Sequence, residues 1–230
     1  MQNVFRQLHL DNLTRTKAPV ALVQNANAAE LYLYDVISAD WGISAGQVID
    51  AIDQAKGSEV LTLYINSPGG DVFEARAIMA ALSRFDGKTV AQIDSLCASA
   101  ATSIALACNE VHMAEGALFM IHNASGAVWG DKTAMRDTAD LLQKVELSII
   151  TDYTQKTGKT DAEIAALMDA ETWMTAQEAL ANGFIDSVTN PKSKPSNSWN
   201  LAAFRNAPAH APAPSQTQAN ANRLRLALMT

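Results

Sequence analysis

The sequence has little of several features that mark particular classes of protein. Only two of its 230 residues are cysteines. Because Cys97 and Cys108 share one apolar segment, they are predicted to be reduced, packed thiols rather than part of a secreted disulfide framework. The apolar, uncharged run at 96–108 has 13 residues, fewer than the roughly 20 that cross a bilayer, so no membrane helix is predicted. Residues 1–12 contain no long apolar stretch, so no secretory signal is predicted and the expected location is cytoplasmic.

Charge is unevenly distributed along the chain. Seventeen Lys and Arg oppose 24 Asp and Glu, for a formal net charge of −7. Residues 191–230 hold five basic residues, no acid and five of the seven prolines, which leaves a charge of −12 on the rest. An acidic body cannot neutralise phosphates, so no nucleic-acid partner is predicted. We therefore expect a lead-in over 1–29, one folded domain over 30–190, and a Pro/Ala-rich tail over 191–230 that is mainly a disordered linker.

Strand-like and helix-like segments alternate along the domain, which predicts an α/β fold. Strands are predicted at 30–37, 60–65, 89–93, 110–114, 118–121 and 184–188. Helices are predicted at 45–57, 71–85, 95–108 and 131–156, with two short helices behind capping boxes that begin at Thr160 and Thr175. The helix over 131–156 would be roughly 40 Å long. Since a small domain rarely covers that length, part of this helix is expected to pack on another subunit.

Ser99 is a candidate nucleophile because of the small residues around it in CASAAT. A nucleophilic serine needs its oxygen exposed at a tight turn into a helix, where free N–H groups favour a developing anion. The neighbouring alanines would let a substrate backbone approach closely. A serine that merely packs in an alanine-rich helix is the commoner use of such a segment, so both interpretations stay open on these residues alone.

His122 is the best-placed candidate base among four histidines. It ends the apolar strand LFMIH, whereas His9 and His210 lie near the chain ends and His112 alternates within a strand. A structural role for a histidine at a strand end is the open alternative.

The turn NSPGG at 66–70 follows a buried strand and precedes a helix. Paired glycines permit positive φ angles and a close backbone approach, and the turn could present N–H groups to an oxyanion. It lacks the glycine spacing and the Lys-Ser/Thr of a phosphate loop. No metal-ligand spacing and no dinucleotide fingerprint is present, so neither a metal nor a cofactor is predicted.

The order of four segments resembles the ClpP family of serine peptidases over about residues 30–188. The segments are LYINSPGGDV (63–72), SLCASAAT (95–102), MIH (120–122) and MDAETWMTAQEALANGFID (168–186).

This resemblance implies a serine-type endopeptidase with a Ser-His-Asp triad. Residue by residue, it implies Ser99 as the nucleophile, His122 as the general base and Asp169 as the aspartate. The oxyanion donors would be the backbone N–H groups of Gly69 and Ala100. Two departures stand out: Ala100 occupies a position that is commonly methionine in the housekeeping enzymes, and the segment after Asp169 is short.

The resemblance also implies an assembly and partners. The fold would be a ClpP/crotonase-like spiral of ββα units, with the helix over 131–156 projecting as a handle. Subunits would form a homo-oligomer of heptameric rings, stacked as a tetradecamer around protein or peptide substrates. The lead-in and the tail resemble phage head maturation proteases, which cut scaffold or capsid proteins in the bacterial host cytoplasm. A housekeeping proteolytic subunit fed by an AAA+ unfoldase is the alternative.

Several competing interpretations remain at this point. A crotonase-fold acyl-CoA enzyme would share the backbone geometry but usually relies on glutamates near the thioester. A Ser-Lys peptidase would need Lys88 or Lys132, neither of which lies in a matching segment. Asp186 is a rival for the triad acid, and an inactive subunit that only builds a mixed ring is the non-enzymatic hypothesis. Trp129 is assigned equally to a subunit interface or to capping of the core.

Overall fold

The computed structural model describes residues 20–25, 27–190, 201 and 204–208, and within them one mixed sheet is flanked by helices. The strands are β1 (Ala21–Gln24), β2 (Ala28–Leu33), β3 (Val60–Ser67), β4 (Lys88–Ala98), β5 (Glu110–Ala114), β6 (Leu118–Ile121), β7 (Thr172–Thr175) and β8 (Ser187–Thr189). The helices are α1 (Ala45–Gln54), α2 (Val72–Leu82), α3 (Ala100–Leu106), α4 (Lys132–Thr157), α5 (Asp161–Asp169) and α6 (Ala176–Ala181). The predicted α/β class is confirmed.

The sheet forks at β4. The order is β1-β2-β3-β4-β5-β8, parallel from β2 onward, with β1 antiparallel at the edge. The first half of β4 pairs with β5, and its last residues pair in parallel with β6. Strand β7 then runs antiparallel to β6. The fork therefore brings the ends of β4 and β6 and the start of β7 together at one place.

The main core combines the inner face of the sheet with α1, α2 and α3. Strands β2 and β3 alternate between buried and partly exposed side chains, as expected when one face of a sheet is covered. Their buried residues meet apolar side chains of the helices, such as Val48, Ile78 and Ile104. Cys97 and Cys108 are free and buried in this core, as the sequence predicted.

Helix α4 is the longest helix and leaves the body of the domain. It has 26 residues, begins after the N-cap Asp131 and ends at Gly158, which adopts a left-handed conformation. Its buried residues are confined to the C-terminal part, at Ile149, Ile150 and Tyr153. Among the described residues, neither this helix nor any other is long and apolar enough to span a membrane.

The prediction of a helix over 95–108 is wrong for its first residues. Residues 95–98 continue strand β4, and α3 begins only at Ala100. Cys97 pairs with Ser67 of β3 on one side and with Phe119 of β6 on the other. Hydrogen bonding to two neighbouring strands outweighs the helix propensity of small residues here.

Both ends of the predicted domain carry additional structure. Strand β1 lies within the predicted lead-in. In the predicted linker the structure describes Leu201 and residues 204–208, of which Leu201, Phe204 and Ala207 pack in a small apolar cluster and Arg205 and Asn206 form hydrogen bonds with the domain. We call these six residues the C-terminal strap. The rest of the tail and residues 1–19 lie outside the described residues.

Candidate active site

Ser99 occupies a sharp turn between β4 and α3. Its backbone has φ 54° and ψ −129°, a conformation that residues other than glycine rarely adopt. The N–H and the hydroxyl of Thr102 both donate to the Ser99 carbonyl, at 2.9 and 2.6 Å. The turn is therefore held in a strained conformation, as is common where a functional side chain must be presented at one angle.

His122 reaches Ser99 because of the register between β4 and β6. Ala98 pairs with Met120, and the Ser99 N–H donates to the Met120 carbonyl at 2.9 Å. His122 directly follows β6, and its Nε2 lies 2.8 Å from Ser99 Oγ. The structure thus brings the predicted nucleophile and the predicted base into hydrogen-bond contact.

The Gly-rich turn closes one side of the cavity that contains this pair. A Cβ atom on Gly69 would lie 2.8 Å from Ser99 Cβ and 2.9 Å from the Ala100 nitrogen, so only glycine fits against the serine turn. The Gly69 N–H donates to Ser67 Oγ at 3.1 Å. Gly70 and Ala100 line the cavity, and no acceptor among the described residues takes their N–H groups.

Asp169 is not brought to the imidazole. It is the last residue of α5 and is exposed. Its Oδ1 accepts a hydrogen bond from Asn123 Nδ2 at 2.7 Å, and none in the described part of the chain joins it to His122. The carboxylate of Asp169 is therefore engaged by the residue that follows His122, and its role as the triad acid stays a prediction.

The other candidate residues are engaged elsewhere. Both carboxylate oxygens of Asp186 lie 2.8 Å from Lys156 Nζ, and Oδ2 also accepts from the Val111 N–H. Lys88 forms an ion pair with Glu110, and His112 contacts Ser187. None of these residues is among those that line the Ser99 cavity.

Glu171 is a further acid near His122, which the sequence analysis did not single out. Ile121 of β6 pairs with Thr172 of β7, so the next position along this antiparallel pair sets His122 opposite Glu171. Glu171 is only 8% exposed and has φ 48°, a left-handed conformation that is unusual for glutamate. No local sequence pattern pointed to Glu171, because its place depends on the pairing of β7 with β6.

The Glu171 carboxylate accepts three hydrogen bonds. The donors are Trp173 Nε1 at 3.2 Å and the backbone N–H groups of Arg205 at 2.8 Å and Asn206 at 2.5 Å. Burial raises the pKa of Glu171, but these donors and the neighbouring His122 outweigh it and hold the pKa below its ordinary value. Glu171 therefore carries a negative charge beside the imidazole at neutral pH.

The pKa of His122 is lowered from its ordinary value. Burial is the main cause because it disfavours the charged imidazolium, and the charge of Glu171 partly opposes it. The ring is consequently neutral at pH 7, the state in which Nε2 can accept a proton.

In the part of the chain that the structure describes, no three His, Cys, Asp or Glu side chains are arranged to hold a metal ion.

Comparison with known proteins assigns the chain to a family. The family model for Clp protease matches residues 26–192. This chain belongs to the Clp protease family. It is accordingly a serine endopeptidase of the ClpP type, as the sequence predicted.

Individual relatives agree with this assignment. The chain is 30% identical over 162 residues to ATP-dependent Clp protease proteolytic subunit 1 of Protochlamydia amoebophila, covering 62% of this chain and 79% of that protein. It is 32% identical over 144 residues to the ATP-dependent Clp protease proteolytic subunit of Streptococcus gordonii, covering 61% and 72%. A solved point mutant of ClpP1 from Listeria monocytogenes superposes with a TM-score of 0.63 at 20% identity, over 71% of this chain and 92% of that one, which confirms a ClpP-like α/β fold.

Proposed function

We propose that this chain cuts protein substrates with a triad of Ser99, His122 and Glu171. The observation that carries the proposal is the 2.8 Å contact between His122 Nε2 and Ser99 Oγ at a strained turn that opens into a cavity. Glu171 takes the place predicted for Asp169, because β7 sets it opposite the histidine and its charge acts on the ring.

The chemistry follows the general scheme of serine peptidases. His122 Nε2 takes the Ser99 proton as Oγ attacks the scissile carbonyl, and then gives that proton to the leaving amine. A water molecule repeats the cycle on the acyl-enzyme. Glu171 stabilises the imidazolium and favours the tautomer with the proton on Nδ1. Among the described residues Glu171 bonds Trp173, Arg205 and Asn206 and not the imidazole, so the proposal requires its carboxylate to reach Nδ1 in the substrate complex, where catalytic contacts often tighten.

The oxyanion donors in this proposal are the N–H groups of Gly70 and Ala100. Both residues line the cavity, whereas the N–H group of Gly69, the predicted donor, is already used by Ser67 Oγ. Gly69 instead permits the close approach of the turn to Ser99. Two backbone donors beside a nucleophile can stabilise the tetrahedral oxyanion, and losing one typically costs about 10²–10³ in rate.

The biological setting that we propose is a ring of subunits in the bacterial cytoplasm. The projecting α4 handle, with exposed Met135, Leu141 and Leu147, supports assembly through stacked heptameric rings, and the two free thiols suit a reducing compartment. The Pro/Ala-rich tail supports a head maturation role on scaffold or capsid proteins. The names of the bacterial relatives support the second candidate, a proteolytic subunit that works with an ATP-dependent unfoldase.

A covalent probe tests the peptidase proposal. The full chain is incubated with a fluorophosphonate, and the adduct is read by intact mass alongside Ser99→Ala and the control Ser83→Ala, an exposed serine that does not line the cavity. One adduct on the parent and on Ser83→Ala, and none on Ser99→Ala, is expected. An adduct that persists in Ser99→Ala would contradict the assignment of the nucleophile.

Substrate turnover separates the two settings. The assembled protein is given a purified scaffold or capsid protein without ATP, and separately an unfoldable model substrate with an AAA+ unfoldase and ATP. Defined cuts in the first reaction are expected for a head maturation protease. Degradation only in the second reaction would favour the housekeeping role.

A further inference from the structure

The C-terminal strap is anchored to the domain by apolar contacts. Leu201 is 6% exposed and belongs to a small buried cluster with Leu96, Ala98 and Met120. Phe204 and Ala207 pack around this cluster. The anchor therefore lies on the last residues of β4 and β6, the two strands that lead into Ser99 and His122.

The strap also binds the end of α5. Arg205 Nη2 donates to the Asp169 carbonyl at 2.8 Å, and Asn206 Nδ2 donates to the Ala170 carbonyl at 2.7 Å. Carbonyls in the last turn of a helix have no partner within the helix, and a cation near that end interacts favourably with the helix dipole. These bonds fix the strap beside the turn that carries Glu171.

Two strap contacts reach the proposed catalytic groups themselves. The Phe204 ring packs edge-on against the His122 ring, with centroids 5.6 Å apart and an interplanar angle of 76°. The N–H groups of Arg205 and Asn206 donate to the two carboxylate oxygens of Glu171. The strap thus touches the base and the acid at once.

We propose that the C-terminal strap is a positioning element of the active site, in which Phe204 fixes the His122 ring and the Arg205 and Asn206 N–H groups fix the Glu171 carboxylate. The inference rests on the triad of the proposed function. No strap residue is among those that line the Ser99 cavity, so the strap supports the base and acid from outside that cavity and leaves it open to substrate.

The charges around the imidazole are consistent with this role. Glu171, from the turn before β7, acts on the ring directly. The Arg205 guanidinium of the strap is bound to the Asp169 carbonyl, and Arg76 of α2, which lines the cavity, is paired with Asp152 of α4. Removing Phe204 would expose the ring to water and raise the pKa of His122 toward its ordinary value.

The test compares Phe204→Ala and Phe204→Leu in the full chain. For Phe204→Ala we expect kcat per labelled Ser99 to fall about tenfold to a hundredfold, since small misplacements of catalytic groups have such effects, with KM changed less than twofold. The acid limb of kcat/KM should move to higher pH. Phe204→Leu, which keeps an apolar cover, should recover most of the rate and the parent pH profile.

Acylation of His122 by diethyl pyrocarbonate, read by peptide mass spectrometry with His112 as internal reference, checks the contact without using activity. Phe204→Ala should accelerate it at pH 7.

Three results would overturn the inference. The first is a kcat and a rate of His122 acylation that are both unchanged in Phe204→Ala, and the second is a gain of activity. The third is a loss of total activity that is explained entirely by the fraction of Ser99 that takes no fluorophosphonate. A parent chain that takes no fluorophosphonate would overturn the proposed function as well, whereas a reactive parent with an unchanged variant would overturn the inference alone.

Discussion

At the scale of single residues, the site depends on backbone conformations that side chains normally avoid. Ser99 and Glu171 both have positive φ, and each departure of this kind costs of order 1–3 kcal/mol. The serine is held by Thr102, and the glutamate by the donors of Trp173 and the strap. Among the described residues, backbone strain of this kind therefore falls on the proposed nucleophile and the proposed acid.

The Gly69→Ala variant tests the close approach to the serine turn. The added methyl group would collide with Ser99 and the Ala98 carbonyl, so a loss of kcat of at least about tenfold is expected from misplacement of the nucleophile. Gly116→Ala is the matched control, because Gly116 has a similar φ and open space around it. Equal kinetics of the two variants would refute this explanation.

The pH dependence of kcat/KM follows from the state of His122. The base acts when it is neutral, and its pKa lies below the ordinary value of about 6.5, so activity should persist below that pH before it falls. Glu171→Gln removes a charge that raises the pKa of His122. The acid limb should then move to lower pH, opposite to the shift expected for Phe204→Ala. If the acid limb moved in the same direction in Glu171→Gln and in Phe204→Ala, the result would be inconsistent with these roles.

At the scale of elements, the strand pairings create the site and also explain what the sequence could reveal. Periodicity predicted most strands and helices, and all the capping boxes that were named are present. The extension of β4 through residues 95–98 and the short strand β7 were missed, because both depend on pairing with β6. Local patterns do not contain that pairing.

The same limit explains why the sequence predicts Asp169 as the acid and the structure favours Glu171. Ser99 and His122 were candidates from local features, a small-residue segment and a strand end, and the resemblance to the ClpP family implied their roles. The choice between Asp169 and Glu171 depends on where α5 ends and on the pairing that sets Thr172 of β7 opposite Ile121 of β6.

Helices α3 and α4 are joined at the serine turn by a buried hydroxyl pair. Thr102 Oγ1 lies 2.6 Å from the hydroxyl of Tyr153, which is fully buried. Thr102→Val should lower the free energy of unfolding by about 1–3 kcal/mol, because it leaves a buried hydroxyl with a lost partner. Urea unfolding measures the change, and adding Tyr153→Phe should cost less in that background than in the parent. Fully additive effects would contradict the coupling.

At the scale of the whole molecule, the handle and the strap have different expected roles, one in assembly and the other in the active site. Helix α4 exposes Met135, Leu141 and Leu147, which a second subunit would cover in a stacked ring. The strap, by contrast, contacts His122 and Glu171 of the same chain. Catalytic geometry and oligomer formation should therefore respond to different substitutions.

Leu141→Glu tests the assembly role of the handle. A charge on an interface that must be desolvated is costly, so native mass spectrometry should show smaller assemblies of the 24.6 kDa subunit than for the parent. Leu180→Glu, at an exposed position of α6, is the control and should leave the assembly intact. An unchanged assembly mass for Leu141→Glu would show that the handle does not contribute to the subunit interface.

The central assignment is that Glu171, and not Asp169, completes the triad with Ser99 and His122. The most direct measurement is kcat/KM for Glu171→Gln and Asp169→Asn, two matched exchanges of a carboxylate for an amide, each normalised to the fraction of Ser99 that takes the fluorophosphonate. We predict a loss of about 10²–10⁴ for Glu171→Gln, since the amide can hold the wrong imidazole tautomer, and a change of less than about threefold for Asp169→Asn, whose exposed carboxylate bonds Asn123. Full activity in Glu171→Gln together with a large loss in Asp169→Asn would contradict this assignment.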